Sequence, residues 1–405
     1  MNRWMQVALA SLFINTSYGT LSYSFSVFVT DGAAGGPFGK GTVSLAFAVA
    51  LLVSGVAAIA TGAVADSLGS RRLMAGGSVL GAVALCLFAS VRESWQLFVV
   101  LPLAMGPAMA ATFYEPVYVL MNRWFSAAER PRAYGLLTMM SGVSITIFTP
   151  LTQALVDAAG WRTAAVALAM VLLVVGTAVP LLLKQTSGPG ESGLRPAAVF
   201  RDIVAGVRFT NAPFWVFTLS FFFATAAFSG FGFHMVAQLE SRGFEASGVA
   251  AAVAITGLVS LPGRFLLPSI SARAGGNLLL AICLALLAAS AIIASSAEAW
   301  WQVWLYVGLN GLVFGAVYPL RALATSERFA GPFFGRIIGI QAFFVAVGRA
   351  LGPAIVALIG TDRTGYETGF RIAATVLVIA AVAGWLAMRR PQRKPMDLDP
   401  LKVPT

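Results

Sequence analysis

The sequence predicts an all-α integral membrane protein, with twelve transmembrane helices in two pseudo-symmetric six-helix halves. Three observations carry that prediction. The 405 residues are 58% hydrophobic and only 11% charged, with a mean hydropathy of +0.83, which is far from the composition of a water-soluble globular chain. The apolar residues fall in successive runs, each long enough to cross a hydrocarbon layer of about 30 Å as a helix. A pattern also recurs at an offset of 204 residues: Phe125-x6-Arg132-x2-Gly135 returns as Phe329-x6-Arg336-x2-Gly339, and Tyr114 is matched by Tyr318. A weak repeat of this length is what a duplicated six-helix unit leaves in a sequence.

The first run, about 5–29, is polar for a span, holding Asn15, Thr16, Ser17, Tyr18, Thr20, Ser22, Tyr23, Ser24 and Ser26. Polar groups facing lipid are unfavourable, so one face of it is expected to look into protein or water. It lacks a small-residue cleavage pattern and is read as a retained helix. Further spans are expected at about 41–65, 73–90, 95–121, up to 156, and 161–184. A Ser-, Gly- and Pro-containing stretch at 185–211 then links the halves. Spans at about 213–239, 246–270, 276–295, 300–325, 333–359 and 369–388 complete the second half. The organisation is therefore a first half at 1–184, a cytoplasmic linker at 185–211, a second half at 212–388 and a basic cytoplasmic tail at 389–405. Trp4, Trp95, Trp124, Trp161, Trp215, Trp300, Trp301 and Trp385 lie near span ends, where interfacial aromatics belong.

The net charge of +11 reads as orientation. With the N-terminus inside, eighteen Lys and Arg fall in cytoplasmic segments and six in outer loops, while acidic residues show no bias. No nucleic-acid partner is implied; the bilayer is the partner, and the expected location is a bacterial-type inner membrane, with both termini cytoplasmic. Cys86 and Cys283 lie inside apolar runs and imply no disulfide or metal. There is no Gly-x4-Gly-Lys run, and a single histidine makes a triad hard to build, so no cofactor and no enzyme is expected.

The charged connection Gly62-Ala-Val-Ala-Asp66-Ser-Leu-Gly69-Ser-Arg71-Arg72 places one carboxylate and two guanidiniums at a single membrane face. Its spacing, Gly-x3-Asp-x2-Gly-x-Arg-Arg, resembles the loop between helices two and three of the major facilitator superfamily of secondary transporters. The resemblance implies a gating role for Gly62, Asp66, Gly69, Arg71 and Arg72. In that family the Asp reaches toward the N-terminus of a helix in the other half, and the contact is made and broken during transport. Ser67 departs from the usual basic residue. The second-half copy is worn, keeping Gly275 but having Ala272 at the Asp position. Tyr18-Gly, Phe25-Ser-Val-Phe28, Phe38-Gly39, Leu45-Ala-Phe47 and Pro262-Gly-Arg264 are similar to the monocarboxylate and oxalate–formate branch. There the arginine at the place of Arg264 is held to pair with a substrate carboxylate. Ser260 stands where animal members carry an Asp, and no Lys precedes Lys40.

Ionisable residues inside spans are functional candidates by default. Glu115, beside Pro116, is either a proton-coupling acid or half of an ion pair with an Arg of the other half. Arg264 and Arg349 offer bidentate forks to an organic anion, or else pair with Glu115 or helix-end carbonyls. Arg321, near the end of the tenth span, reads as structural. His234 is a second proton-coupling candidate, or makes one local hydrogen bond. Asn15, Tyr18, Tyr114, Tyr118, Asn310 and Tyr318 fall on the first, fourth and tenth helices, which line the cavity in the superfamily, and are candidate substrate contacts. The expected function is alternating-access transport of a small, monocarboxylate-like organic anion by a monomer, coupled to protons or to a counter-anion. The rivals are proton-driven efflux of drug- or siderophore-like compounds, and a non-transporting membrane sensor or scaffold.

Overall fold

The computed structural model describes residues 2–30, 32–184, 212–331 and 333–389. The expected linker at 185–211, and all of the expected tail except Arg389, lie outside the described residues. Helix α1 starts as Arg3–Tyr18, widens into a π-helical turn at Gly19–Tyr23 and ends as Phe25–Phe28. Helices α2 (Lys40–Val64) and α3 (Ser70–Ser90) are joined by a π turn, Ala65–Gly69. Helix α4 is built from Ser94–Val100, a π turn at Leu101–Met105, Gly106–Thr112 and Tyr114–Trp124. Arg130–Ser141 opens α5, which continues through Ser144 to the break at Gly160, and α6 follows up to Leu182. The second half comprises α7 (Ala212–Ser241), α8 (Ala246–Ala274), α9 (Gly276–Ser295), α10 (Trp300–Phe329), α11 (Phe334–Ile359) and α12 (Arg363–Arg389).

Among the described residues, nine helical stretches are long and apolar enough to cross a membrane. Two of these, Lys40–Ser90 and Arg130–Leu182, run to 51 and 53 residues, and each holds a positive-φ glycine. Gly69 has φ 89° and Gly160 has φ 77°, a conformation open to glycine at little strain. The chain reverses at both, so each stretch makes two crossings. The π turn divides α1, which supplies the twelfth crossing. Leu103, Val174, Leu358 and Ile379 are exposed on the outer surface, as side chains facing lipid should be.

The polar first span is accommodated largely within itself. Ser11 donates to the Val7 carbonyl at 2.8 Å, Thr20 to Thr16 at 2.8 Å and Ser24 to Thr20 at 2.7 Å. These hydroxyls return to their own helix four residues back, so they need no aqueous face.

The two halves meet where α2 packs on α11 and α5 on α8. Under the internal repeat α2 corresponds to α8 and α5 to α11, so the two contacts are related by the pseudo-two-fold. The larger apolar core, with Tyr118, Tyr134, Phe217, Leu320, Phe334 and Ile338, draws on both halves. The smaller one, with Phe25, Phe88 and Trp161, draws on the first half alone. Close inter-half approaches run from Gly62 against Gly335 to Gly55 against Ala346, and from Gly135 against Phe265 to Gly142 against Leu261. These approaches lie toward the face carrying Asp66, where the halves are fused; beyond them Tyr18 of the first half and Arg349 of the second keep accessible surface, which marks a cleft between the halves.

Candidate functional site

The fused face is held by a carboxylate on backbone amides. Asp66 is buried, and its Oδ1 and Oδ2 accept the N–H groups of Gly335 and Arg336 at 2.9 Å each. Those amides open α11 and have no helical acceptor of their own, so an anion there satisfies the orphan donors and the helix dipole together. The contact requires Gly62, because a Cβ there would collide with the Gly335 carbonyl. Three of the five candidate gate residues do not reach the other half. Gly69 makes the turn, while Arg71 donates through Nε to the Pro180 carbonyl at 3.0 Å and through Nη2 to that of Leu181, tying down the end of α6. Arg72 is exposed.

One step further in, an ion pair spans the halves. Arg321 of α10 lies 3.4 Å from Glu115 of α4. Its Nη1 donates to Gln341 Oε1 of α11 at 3.2 Å, an oxygen that also receives the Thr325 hydroxyl at 2.9 Å. The guanidinium lies 5.6 Å from the centre of the Phe221 ring. Arg321 is only 2% exposed, whereas Glu115 keeps 20%, so the carboxylate is the more accessible partner. Glu115 stands in the first turn after α4 is interrupted at Phe113, whose backbone is extended (φ −82°, ψ −162°).

Arg264 and Arg349 mark the floor of the cleft. Neither forms an ion pair with a carboxylate among the described residues. Arg264 threads between Gly142 of α5 and Gly315 of α10, where added Cβ atoms would stand 3.2 and 2.6 Å from its methylenes, and its Nε lies 3.5 Å from Ser260 Oγ. Arg349, midway along α11, is exposed, and Tyr318, Tyr18 and Tyr23 are near enough to feel its charge. Each arginine stands four residues before a proline, Pro268 or Pro353, which cannot donate to the arginine's carbonyl. A hydroxyl from a neighbouring helix approaches each freed carbonyl: Thr138 comes within 3.4 Å of Arg264 O, and Ser229 within 3.3 Å of Arg349 O. This Arg-x3-Pro spacing was present in the sequence and is the signal that could have paired the two positions. No local signal pointed to Gln341, Thr325 or Ser229.

The remaining candidates divide. Tyr18 stacks on Phe113 at 3.8 Å and lies 5.0 Å from Tyr114, which hydrogen-bonds Ser141 at 2.8 Å. Tyr18, Tyr114 and Tyr318 are half-buried and belong to the arginine cluster. Asn15 holds α1 to α5, its side-chain amide donating to Met140 O at 3.4 Å while its backbone carbonyl accepts from the Ser144 hydroxyl at 2.6 Å. Tyr118 is fully buried between Tyr114 and Tyr134, away from the cleft. Asn310 is buried in α10, about 12 Å along the axis from Tyr318. His234 makes a single bond to the Pro353 carbonyl at 2.9 Å and joins α7 to α11.

The sequence profile of the Major Facilitator Superfamily matches residues 1–309 and 277–403. The chain belongs to that superfamily. Major facilitator proteins are transporters, so this is a multi-pass membrane transporter and not an enzyme. Among its relatives, rat monocarboxylate transporter 13 is 24% identical, with 93% of this chain and 86% of that protein covered. The multidrug resistance protein MdtG of Dickeya zeae is also 24% identical, over 85% of this chain and 84% of its own. The fold is shared with the human organic anion transporter MFSD10 (TM-score 0.74, 15% identity, covering 95% of this chain and all of that one). It is shared too with the Escherichia coli fucose:proton symporter FucP (TM-score 0.75, 14% identity, 95% and 98%).

Proposed function

We propose that this major facilitator transporter moves a small, monocarboxylate-like organic anion by alternating access, as a proton symporter or an anion exchanger. The observation that carries the reading is the pair Arg264 and Arg349 at the cleft floor, without carboxylate partners among the described residues. A guanidinium at membrane depth is unfavourable without a counter-charge, and an anionic substrate supplies one. The relatives named monocarboxylate transporter support the same class. In this reading the halves at 1–184 and 212–388 rock about the arginines. Asp66 on the start of α11 locks one end, and Glu115 exchanges Arg321 for a proton. The positive-inside count favours a cytoplasmic locked face and cytoplasmic termini; an inner membrane and a monomeric working unit belong to the same proposal.

The test is uptake of labelled small carboxylates into proteoliposomes under an inward proton gradient, alongside Arg264→Ala and Glu115→Gln. Proton-stimulated flux that Arg264→Ala abolishes supports symport, and pH-insensitive flux lost in the same variant supports exchange. Extrusion of a lipophilic cation with no anion flux would overturn the anion reading in favour of efflux, the activity suggested by the MdtG relative.

A further inference from the structure

We infer that Gln341 is a positioning residue for proton exchange: its side-chain oxygen draws Arg321 partly off Glu115 and so sets the pH at which Glu115 takes up a proton. The inference rests on the reading of Glu115 as the proton carrier and deepens it. Arg321 of α10 divides its guanidinium between acceptors on two other helices. Nη1 donates to Gln341 Oε1 of α11 at 3.2 Å, and Nη2 to Glu115 Oε1 of α4 at the longer 3.4 Å. Guanidinium and carboxylate commonly close into a two-bond fork of about 2.7–2.9 Å. Here one long contact holds the pair. Thr325, one turn along α10, donates its hydroxyl to the same Gln341 oxygen at 2.9 Å and keeps it facing Arg321. The amide nitrogen of Gln341 is buried without a hydrogen-bond partner among the described residues. A half-satisfied buried amide is a poor choice for stability alone, so what Gln341 supplies is the oxygen's hold on Arg321.

A proton affects the two acceptors differently. Protonated Glu115 no longer counters the guanidinium, and the Gln341 oxygen is then the acceptor left to a buried cation. Without Gln341, Arg321 would close on Glu115 alone and favour the charged carboxylate. The other groups near Glu115 are untouched by a change at Gln341. Tyr18 of α1, Tyr114 and Tyr118 of α4, Tyr318 of α10 and Arg349 of α11 act on it electrostatically. Helices α2 and α11 border it with Thr61, Gly62, Ala65, Gly335 and Ile338, none of them titratable, and Asp66 is committed to the Gly335 and Arg336 amides. Tyr134 of α5 donates to the Tyr118 carbonyl at 3.3 Å. Of the α3 charges, Arg71 is spent on the end of α6 and Arg72 is exposed.

The experiment is an infrared pH titration of the purified full chain in detergent, following the protonated-carboxyl band that Glu115→Gln removes. Gln341→Met, similar in size, should move the midpoint of that band toward acid by about one pH unit. Thr325→Val leaves Gln341 in place but frees its oxygen to turn. It should move the midpoint the same way by less, and it serves as the test if Gln341→Met does not fold. In an Arg321→Met background, Gln341→Met should move the midpoint no further, which a merely structural role would not produce. A midpoint that stays put or turns alkaline in Gln341→Met, or an equal shift without Arg321, would overturn the inference and leave Glu115 as the proton carrier. If the wild type shows no titrating band that Glu115→Gln removes, the reading of Glu115 itself falls, and the inference with it.

Discussion

Arg321 and Glu115 form an ion pair across the two halves in which one partner is enclosed and the other is partly accessible. The consequences of breaking it are therefore unequal. Glu115→Leu strands a buried guanidinium and should lower stability by about 3 kcal/mol. Arg321→Met leaves a carboxylate that can hydrate or take up a proton, and should lower it less. The double variant should be more stable than Glu115→Leu alone, because the stranded charge is gone. Thermal unfolding in detergent of the three variants checks the order. A double variant no better than Glu115→Leu would show that the pair does not act as a unit.

Asp66 holds the fused face through two charge-assisted hydrogen bonds, each worth about 1.5–3 kcal/mol. Asp66→Ala should shift the population toward the conformation open at that face by at least an order of magnitude. Ile338 on α11 is fully buried at this seam. In a background without Cys86 and Cys283, Ile338→Cys should react slowly with a polar maleimide, and markedly faster once Asp66→Ala is added. Equal rates would mean that other contacts close this face.

Gly62→Ala places a methyl on the Gly335 carbonyl, which is backbone and cannot turn away. Closure of this face should fail, and flux should drop to background with the protein still folded. Gly76 in α3 has open space where a Cβ would go, so Gly76→Ala should raise stability by at most about 1 kcal/mol and leave flux intact. Comparable losses in both variants would assign the effect to helix flexibility in general and not to the seam.

At the same face, outside the spans, Glu129 accepts from the Ser126 hydroxyl at 2.9 Å and from Arg3 at 3.0 Å. The Ser126 hydroxyl and N–H, and then Arg3, hold its carboxyl below the usual carboxylate range. A group whose value is depressed on folding stabilises the fold above its unfolded value and loses that contribution as pH falls through the folded one. Wild type should therefore melt above Glu129→Gln at neutral pH, and the two should converge in acid. A gap that stays constant with pH would show that the carboxylate's charge is not what matters.

Much of the fold was legible because lipid leaves a chain few choices. An apolar run that must bond its own backbone becomes a helix, and Gly69 could be read as a turn between two such runs before any coordinates. The site was legible only as a list of ionisable residues out of place. That Arg321 would take Glu115, while Arg264 and Arg349 stayed open, depended on how α4, α10 and α11 register against one another, and no local pattern encodes that. Gln341 and Thr325 are ordinary polar residues in sequence. Their part in holding Arg321 exists only once α10 lies beside α11. Arg71 shows the opposite case: its motif was plain, yet its guanidinium is spent on the end of α6.

The two halves, alike in sequence pattern, are unlike as mechanical parts. Helices α7 and α10 run as unbroken α-helix from Ala212 to Ser241 and from Trp300 to Phe329. Their counterparts α1 and α4 each carry a wide turn, at Gly19–Tyr23 and Leu101–Met105, and α4 is interrupted again at Phe113. A wide turn holds a surplus residue. Passing that surplus along the helix by one position turns the residue it passes over by about 100° and shifts it by about 1.5 Å, leaving the helix on either side in place. The turn in α1 begins directly after Tyr18 and ends on Tyr23, so a slip at either end would re-aim one of these two rings without moving the helix as a body. The first half thus carries, in α1 and α4, a kind of local adjustment that the continuous α7 and α10 lack.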